Sequence, residues 1–172
     1  MKIKLEAVKI EEKEILKNLL EKYDYEFSQY DHRDVNALGF YGYQYLDHYW
    51  TEKNRWAYFI RVEEQLAGFV MINDYPEAKG DMDYSIAEFF VMYKYRRAGV
   101  GRYAALEVFN RFKGKWQLKR HPKNQDSVIF WDRIIDEVTQ GDYQLIQGHK
   151  EAEYDDGTFG DVFFFDNRGD DN

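Results

Sequence analysis

Apolar and polar positions alternate from the start of the chain. Residues 2–10 put Ile3, Leu5 and Ala7 on one face, the period of two that a strand requires. The period then lengthens. Residues 11–23 place Ile15, Leu16, Leu19, Leu20 and Tyr23 at helical spacing, with Glu11, Glu12 and Glu14 in the first turns, where carboxylates suit the helix dipole. Residues 24–54 show no clean period and are crowded with rings; within them, 39–50 is predicted as a helix with Phe40, Tyr43, Tyr45 and Leu46 inward. Two apolar runs, 56–62 and 66–73, read as a hairpin through Glu63-Glu64-Gln65. A loop with Pro76 and Gly80 follows, then a strand over 83–91. Residues 101–112 form a helix with Ala105, Phe109 and Phe112 on one face and Leu106 and Val108 flanking, stopped at Gly114. After a short strand over 115–119, Pro122 breaks the chain and Asn124 caps a helix over 125–138 with a stripe of Val128, Trp131, Ile135 and Val138. Gly141 ends that unit, and 143–148 with 159–165 read as a closing antiparallel pair turned at Asp155-Asp156-Gly157. The element order is β-α-(α)-β-β-β-α-β-α-β-β, an α/β chain.

Length and composition narrow this picture. A chain of 172 residues suits one domain, assigned to 1–166, with 167–172 an acidic, frayed tail. No internal repeat, linker or low-complexity segment divides it. Cysteine is absent, which excludes a disulfide framework, thiolate zinc sites and a cysteine nucleophile, and no His-x-x-x-His spacing appears, so no metal is expected. The first ten residues are no signal peptide, and no apolar run approaches the ~18 residues of a membrane helix, so a cytoplasmic protein without a membrane partner is expected.

The net charge of −8 is unevenly spread. Residues 151–172 hold eight acids against Arg168, whereas 93–120 hold nine bases against Glu107. A basic stretch inside an acidic protein points to a small polyanion; nucleic acid would want a wider basic face and is not expected as a partner. The centre of that stretch is Arg96-Arg97-Ala98-Gly99-Val100-Gly101, between the apolar run Glu88-Phe89-Phe90-Val91 and a helical segment. Glycines there let the backbone approach a ligand, and the first N–H groups of a helix lack partners within it. With the helix dipole they make a site for phosphate or diphosphate. The run is no Walker A loop, which needs Gly-x-x-x-x-Gly-Lys-Ser/Thr, and it lacks the third glycine of a dinucleotide fingerprint. The plainer alternative is an ordinary strand–helix turn.

Arg96-x-x-Gly99-x-Gly101 after a strand resembles the acyl-CoA diphosphate loop of the GCN5-related N-acetyltransferases (GNAT), whose pattern is Arg/Gln-x-x-Gly-x-Gly/Ala. The element order resembles that fold over nearly the whole chain, and residues 85–135 look closest to a poorly characterised bacterial branch. The resemblance implies a mixed sheet of about seven strands flanked by helices. It also implies acetyl-CoA as cosubstrate and transfer of acetyl to a primary amine of a small-molecule or peptide acceptor. Main-chain groups of Phe89 and Val91 would hold the pantetheine arm and the acetyl oxygen, the diphosphate would meet the amides of Arg97, Ala98, Gly99, Val100 and Gly101, and Arg96 is counted with them as cofactor-binding. Asn124 resembles the family asparagine that contacts the arm. Trp131 stands where the family carries a tyrosine proposed to protonate the leaving thiolate, and an indole N–H delivers no proton. Exposed closing strands of this fold often pair, which allows a homodimer.

Two questions stay open in the sequence. Glu88 interrupts an apolar strand; it is either the general base for the amine or the partner of a nearby cation, with Asp83 and Ser85 as further positions on that strand. Strand alternation turns it away from Phe89 and Val91 unless a bulge re-aims it. The rings of 24–54 either wall an acceptor site or fill the edge of the core. Against the enzyme stands a non-catalytic CoA-binding sensor or assembly module, which the missing tyrosine favours.

Overall fold

The computed structural model describes residues 1–169. Its strands are β1 (Ile3–Ala7), β2 (Arg55–Val62), β3 (Gln65–Asn73), β4 (Tyr84–Val91), β5 (Lys115–Arg120), β6 (Gln144–Ile146) and β7 (Asp161–Asp166). Its helices are α1 (Lys13–Asp31), α2 (His48–Thr51), α3 (Val100–Arg111) and α4 (Gln125–Thr139). The strands form one open mixed sheet in the order β1-β2-β3-β4-β5-β7-β6, with the helices flanking it, as expected from the sequence. Among the described residues, no helix is long and apolar enough to cross a membrane. Contacts group into two compact units, Met1–Ile72 with Glu88–Ala104, and Asn73–Ala87 with 105–169.

In the first unit, β1 and β2 pair antiparallel from Ile3↔Val62 to Ala7↔Tyr58. The β2–β3 hairpin closes through Glu63 and Glu64, both left-handed at φ 47° and 67°, the backbone of a two-residue turn that follows strand twist. Ala67 through Ile72 of β3 are all buried, so this strand reads as a continuous apolar run. Leu16, Leu19 and Leu20 of α1 are buried, but Ile15, expected inward, is exposed.

Two sequence expectations fail between residues 24 and 54. Helix α1 continues to Asp31, where left-handed His32 stops it and donates its N–H to the Ser28 carbonyl at 2.9 Å. The helix expected over 39–50 shrinks to His48–Thr51. Gly39 and Gly42 sit at φ 79° and 72°, and the Asn36 side-chain oxygen accepts from the amides of Leu38 (2.9 Å) and Phe40 (3.0 Å). A side chain that takes backbone donors in this way offers an alternative to the helix. Phe40 and Tyr45, expected inward, are half exposed, while Leu46 and Tyr49 are buried. The loop lies back on α1, with the Glu21 carboxylate accepting from the amides of Tyr41 (3.0 Å) and Gly42 (3.4 Å).

In the second unit, β5 pairs antiparallel with β7 from Lys115↔Asp166 to Arg120↔Asp161, and β6 pairs with β7. The parallel ladder between β4 and β5 has two rungs, Tyr84↔Trp116 and Ser85↔Gln117. Trp116 centres the core, edge-on to Phe109 at 4.8 Å and near Tyr84 at 5.3 Å. Buried Gln117 clamps the β3–β4 connection, accepting from the amides of Glu77 (2.9 Å) and Ala78 (3.0 Å) and donating to the Ala78 carbonyl at 2.9 Å. Buried Arg120 donates to Asp161 (3.1 Å), to Asp132 and to the Val128 carbonyl (3.2 Å). Such a cation stays buried because it is paired and hydrogen-bonded. Asn167, expected in the frayed tail, is tied down: it donates to the carbonyls of Phe109 (2.8 Å) and Phe112 (3.0 Å) and accepts from Gly114 N–H at 2.9 Å. The rest of that tail, 170–172, lies outside the described residues.

Candidate functional site

The end of β4 and the turn after it carry the features that bear on a ligand site, two of the first unit's left-handed residues among them. Burial along β4 loses its period of two, with Ala87, Glu88 and Phe89 half-buried in succession and Phe90 and Val91 buried. Such a break accompanies a local kink or bulge in a strand. Gly68 on β3 lies against it: a Cβ there would stand 1.9 Å from the Phe90 carbonyl oxygen and 3.0 Å from Val91 Cα. Only glycine permits that approach of two backbones.

Beyond Val91 the chain makes a 3-10 turn, Tyr93–Tyr95, then enters the glycine turn. Arg96 is extended at φ −74°, Arg97 is left-handed at φ 60°, and Gly99 is left-handed at φ 80°, with Ala98 between them on the negative side. Alternating handedness turns successive N–H groups toward one concavity, an anion-binding nest. Helix α3 starts directly afterwards, its first bond running from Tyr103 N–H to the Gly99 carbonyl at 3.0 Å. The amides of Val100 and Gly101 therefore precede the intrahelical ladder. Among the described residues, the amides of Arg97, Ala98, Gly99, Val100 and Gly101 make no backbone hydrogen bond of ordinary length and angle, although 96–99 form a turn. Arg97, Ala98 and Gly99 are exposed, and a Cβ on Gly99 would meet nothing within 4 Å. Unengaged donors, open space and the positive end of a helix suit a diphosphate.

Arg96 has a different place from its neighbours. Its Nε donates to the Val91 carbonyl at 2.6 Å, and its two terminal nitrogens donate to the two Glu26 carboxylate oxygens at 2.8 and 2.7 Å. The guanidinium also lies over the Tyr93 ring at 4.3 Å. The Val91 carbonyl is thus taken by the protein itself.

Glu88 shares its surroundings with groups that the sequence did not connect to it. The Tyr43 phenol is pushed well above its usual range by burial, by the charge of Glu88 and by Tyr49 and Asp24. Burial also raises the Asp24 carboxyl, against the pull of Arg33, whose Nη2 donates to it at 3.1 Å. The first unit therefore gathers Glu88, Phe89, Val91 and Arg96 through Gly101, together with Tyr43, Tyr49 and Glu26. Asn124 and Trp131 belong to the second unit. There the Asn124 side-chain oxygen accepts from Ser127 N–H at 3.2 Å, capping α4, and Trp131 is buried. Asp83 supports the sheet, its carboxylate accepting from Lys115 N–H at 2.8 Å. Ser85 is fully buried.

Residues 14–135 match the acetyltransferase (GNAT) family. No curated protein sequence matches the chain. Among solved structures, an acetyltransferase from Thermus thermophilus superposes with a TM-score of 0.67 at 14% identity, over 96% of this chain and 97% of that one. Arabidopsis thaliana NAA60 in complex with acetyl-CoA gives 0.60 at 14%, over 98% and 100%. A spermidine N-acetyltransferase SpeG chimera from Vibrio cholerae and hSSAT gives 0.60 at 11%, over 97% and 96%. These similarities show the fold. With the matched span covering most of its length, the chain belongs to the acetyltransferase (GNAT) family.

Proposed function

We propose that the chain is a single acetyltransferase domain that uses acetyl-CoA to acetylate a primary amine by direct transfer. The turn at 97–101 carries this proposal, with its unengaged amides, alternating handedness and open space above Gly99. The structural neighbours support donor and acceptor class alike, one being a complex with acetyl-CoA and another a spermidine N-acetyltransferase.

The residues divide the work by type. Amides of Arg97 through Gly101 hold the diphosphate, and the main chain of Phe89 with the Val91 N–H holds the arm and polarises the acyl oxygen, the Val91 carbonyl being left to Arg96. When bound, acetyl-CoA supplies an acyl group already activated as a thioester. Glu88 takes the proton that the amine must lose before it attacks. The Tyr43 phenol, whose pKa is raised, keeps its proton and serves beside Glu88 as a hydrogen-bond donor. No side chain is assigned to protonate the departing thiolate, because Trp131 stands at the tyrosine position. The thiolate leaves as the anion and takes its proton from solvent. Asn124 and Trp131, in the second unit, carry no part of this assignment.

That same tryptophan favours a second reading, a module that binds CoA without turnover. Release of free thiol from acetyl-CoA across a panel of polyamines, aminoglycosides and peptide amines separates the two. An acetyltransferase releases thiol with at least one acceptor and loses that rate in Glu88→Gln. Binding of CoA with no release across the panel would leave only the sensor.

A further inference from the structure

The resemblance counts Arg96 among the cofactor-binding residues, but its side chain is already committed. A guanidinium has five N–H donors. Three of them are used at 2.6 to 2.8 Å, one on the Val91 carbonyl and two on Glu26, and the rings of Tyr93 and Phe90 lie against its face. Both partners are mostly shielded, with side-chain exposures of 31% for Arg96 and 24% for Glu26. End-on pairing of both terminal nitrogens with both carboxylate oxygens fixes orientation as well as charge. The consequence is geometric. Val91 closes β4, and Arg96 is the last residue before the left-handed Arg97. The Arg96 side chain therefore ties the end of the strand to the mouth of the turn, and Glu26, on α1, holds that tie from outside the motif.

We infer that Glu26 is a positioning residue for the acyl donor: through Arg96 it fixes the turn whose amides bind the diphosphate, while the Arg96 side chain itself binds no phosphate. The inference rests on the acetyl-CoA reading of the turn. A turn held in one conformation binds at full strength; one that visits it only part of the time loses affinity in proportion.

The test uses the full chain, with CoA and inorganic pyrophosphate as probes in calorimetric titrations and a thermal melt of every variant. Glu26→Gln and Arg96→Gln are each expected to weaken both probes ~10-fold, as for a turn populated about a tenth of the time. The double variant should be no weaker than either single, because both changes break one unit. Arg96→Lys is expected to be as weak as Arg96→Gln, since lysine keeps the charge and loses the fork and the Nε donor. A direct phosphate contact would give the opposite pattern, with Arg96→Lys near wild type and Glu26→Gln unchanged or tighter. That result overturns the inference. If Glu26→Gln does not fold, Arg96→Lys against Arg96→Gln decides alone. A wild-type chain that binds no CoA sinks the acetyltransferase reading itself, whereas one that binds CoA no better than Glu26→Gln sinks only the role of Glu26.

Discussion

Gly99→Glu is the sharpest perturbation of the candidate site, because the structure separates its effect on folding from its effect on binding. Position 99 sits at φ 80°, where a residue with a Cβ is strained. That strain costs about 1–2 kcal/mol. No atom lies within 4 Å of the new Cβ, so no clash is added. A carboxylate at the N-terminus of α3 returns ~0.3–1 kcal/mol through the helix dipole. The net loss is about 1 kcal/mol, or ~2–4 °C in melting temperature for a chain of this size. Binding meets a different term. The glutamate side chain enters the space assigned to the diphosphate, and two like charges ~4 Å apart at an effective dielectric of about 20 repel by about 4 kcal/mol. That is on the order of a thousandfold in Kd.

Gly99→Ala is the control, carrying the same strain without the charge. Circular dichroism melts and calorimetric titration with CoA read the two effects independently. Both variants should melt within a few degrees of wild type. Gly99→Ala should bind CoA within ~10-fold of wild type, the worth of its strain, and Gly99→Glu should show no measurable binding. A folded Gly99→Glu chain with wild-type affinity would mean that the amides at 97–101 hold no anion, and the donor site would have to lie elsewhere.

Other positions give independent checks. Gly68→Ala forces β4 to move, because its Cβ would stand 1.9 Å from backbone oxygen; a loss of ~1–3 kcal/mol with weaker CoA binding is expected, and an unchanged melt would show that β3 yields instead. Asn167→Ala removes three hydrogen bonds at the end of α3 and should cost ~1–3 kcal/mol in chemical denaturation; no cost would place this residue in the frayed tail after all. The Asp156 carboxyl opposes burial with hydrogen bonds from Thr158, Lys123 and His121 and is held below the usual carboxylate range. A depressed folded pKa gives stability that is complete above the unfolded value of about 3.9 and is lost as pH falls below it. Urea titrations from pH 6 to pH 2 should therefore fall less steeply in Asp156→Asn than in wild type, and parallel curves would count against that ionisation.

What the sequence made legible followed the range of the forces involved. Strand and helix periods and the Asn124 cap are local, and each depends on residues only a few positions apart. The glycine turn was legible for the same reason, since its chemistry belongs to consecutive amides. Gly114, expected to stop α3, lies beyond its end at Arg111 and takes no left-handed φ. The helix expected over 39–50 failed where one side chain, Asn36, outcompeted the helix for two backbone donors while Gly39 and Gly42 took left-handed φ. A pattern of rings carries no sign of that competition.

The candidate site was illegible wherever it depends on residues distant in sequence. Glu26 stands seventy positions before Arg96, on a helix whose period marks only which face is apolar. Tyr43 reaches the neighbourhood of Glu88 from a loop with no period at all. Gly68 drew no notice within the apolar run 66–73, and the backbone crowding that demands glycine exists only once β4 lies beside it. In each case the missing information was a contact and not a residue type. The motif Arg96-x-x-Gly99-x-Gly101 therefore points to the proposed anion site without explaining why its turn holds its shape. On the inference drawn above, that shape depends on a carboxylate from α1, which pairs with Arg96, and a substitution at Glu26, far outside the motif, should then be felt first in the affinity for CoA.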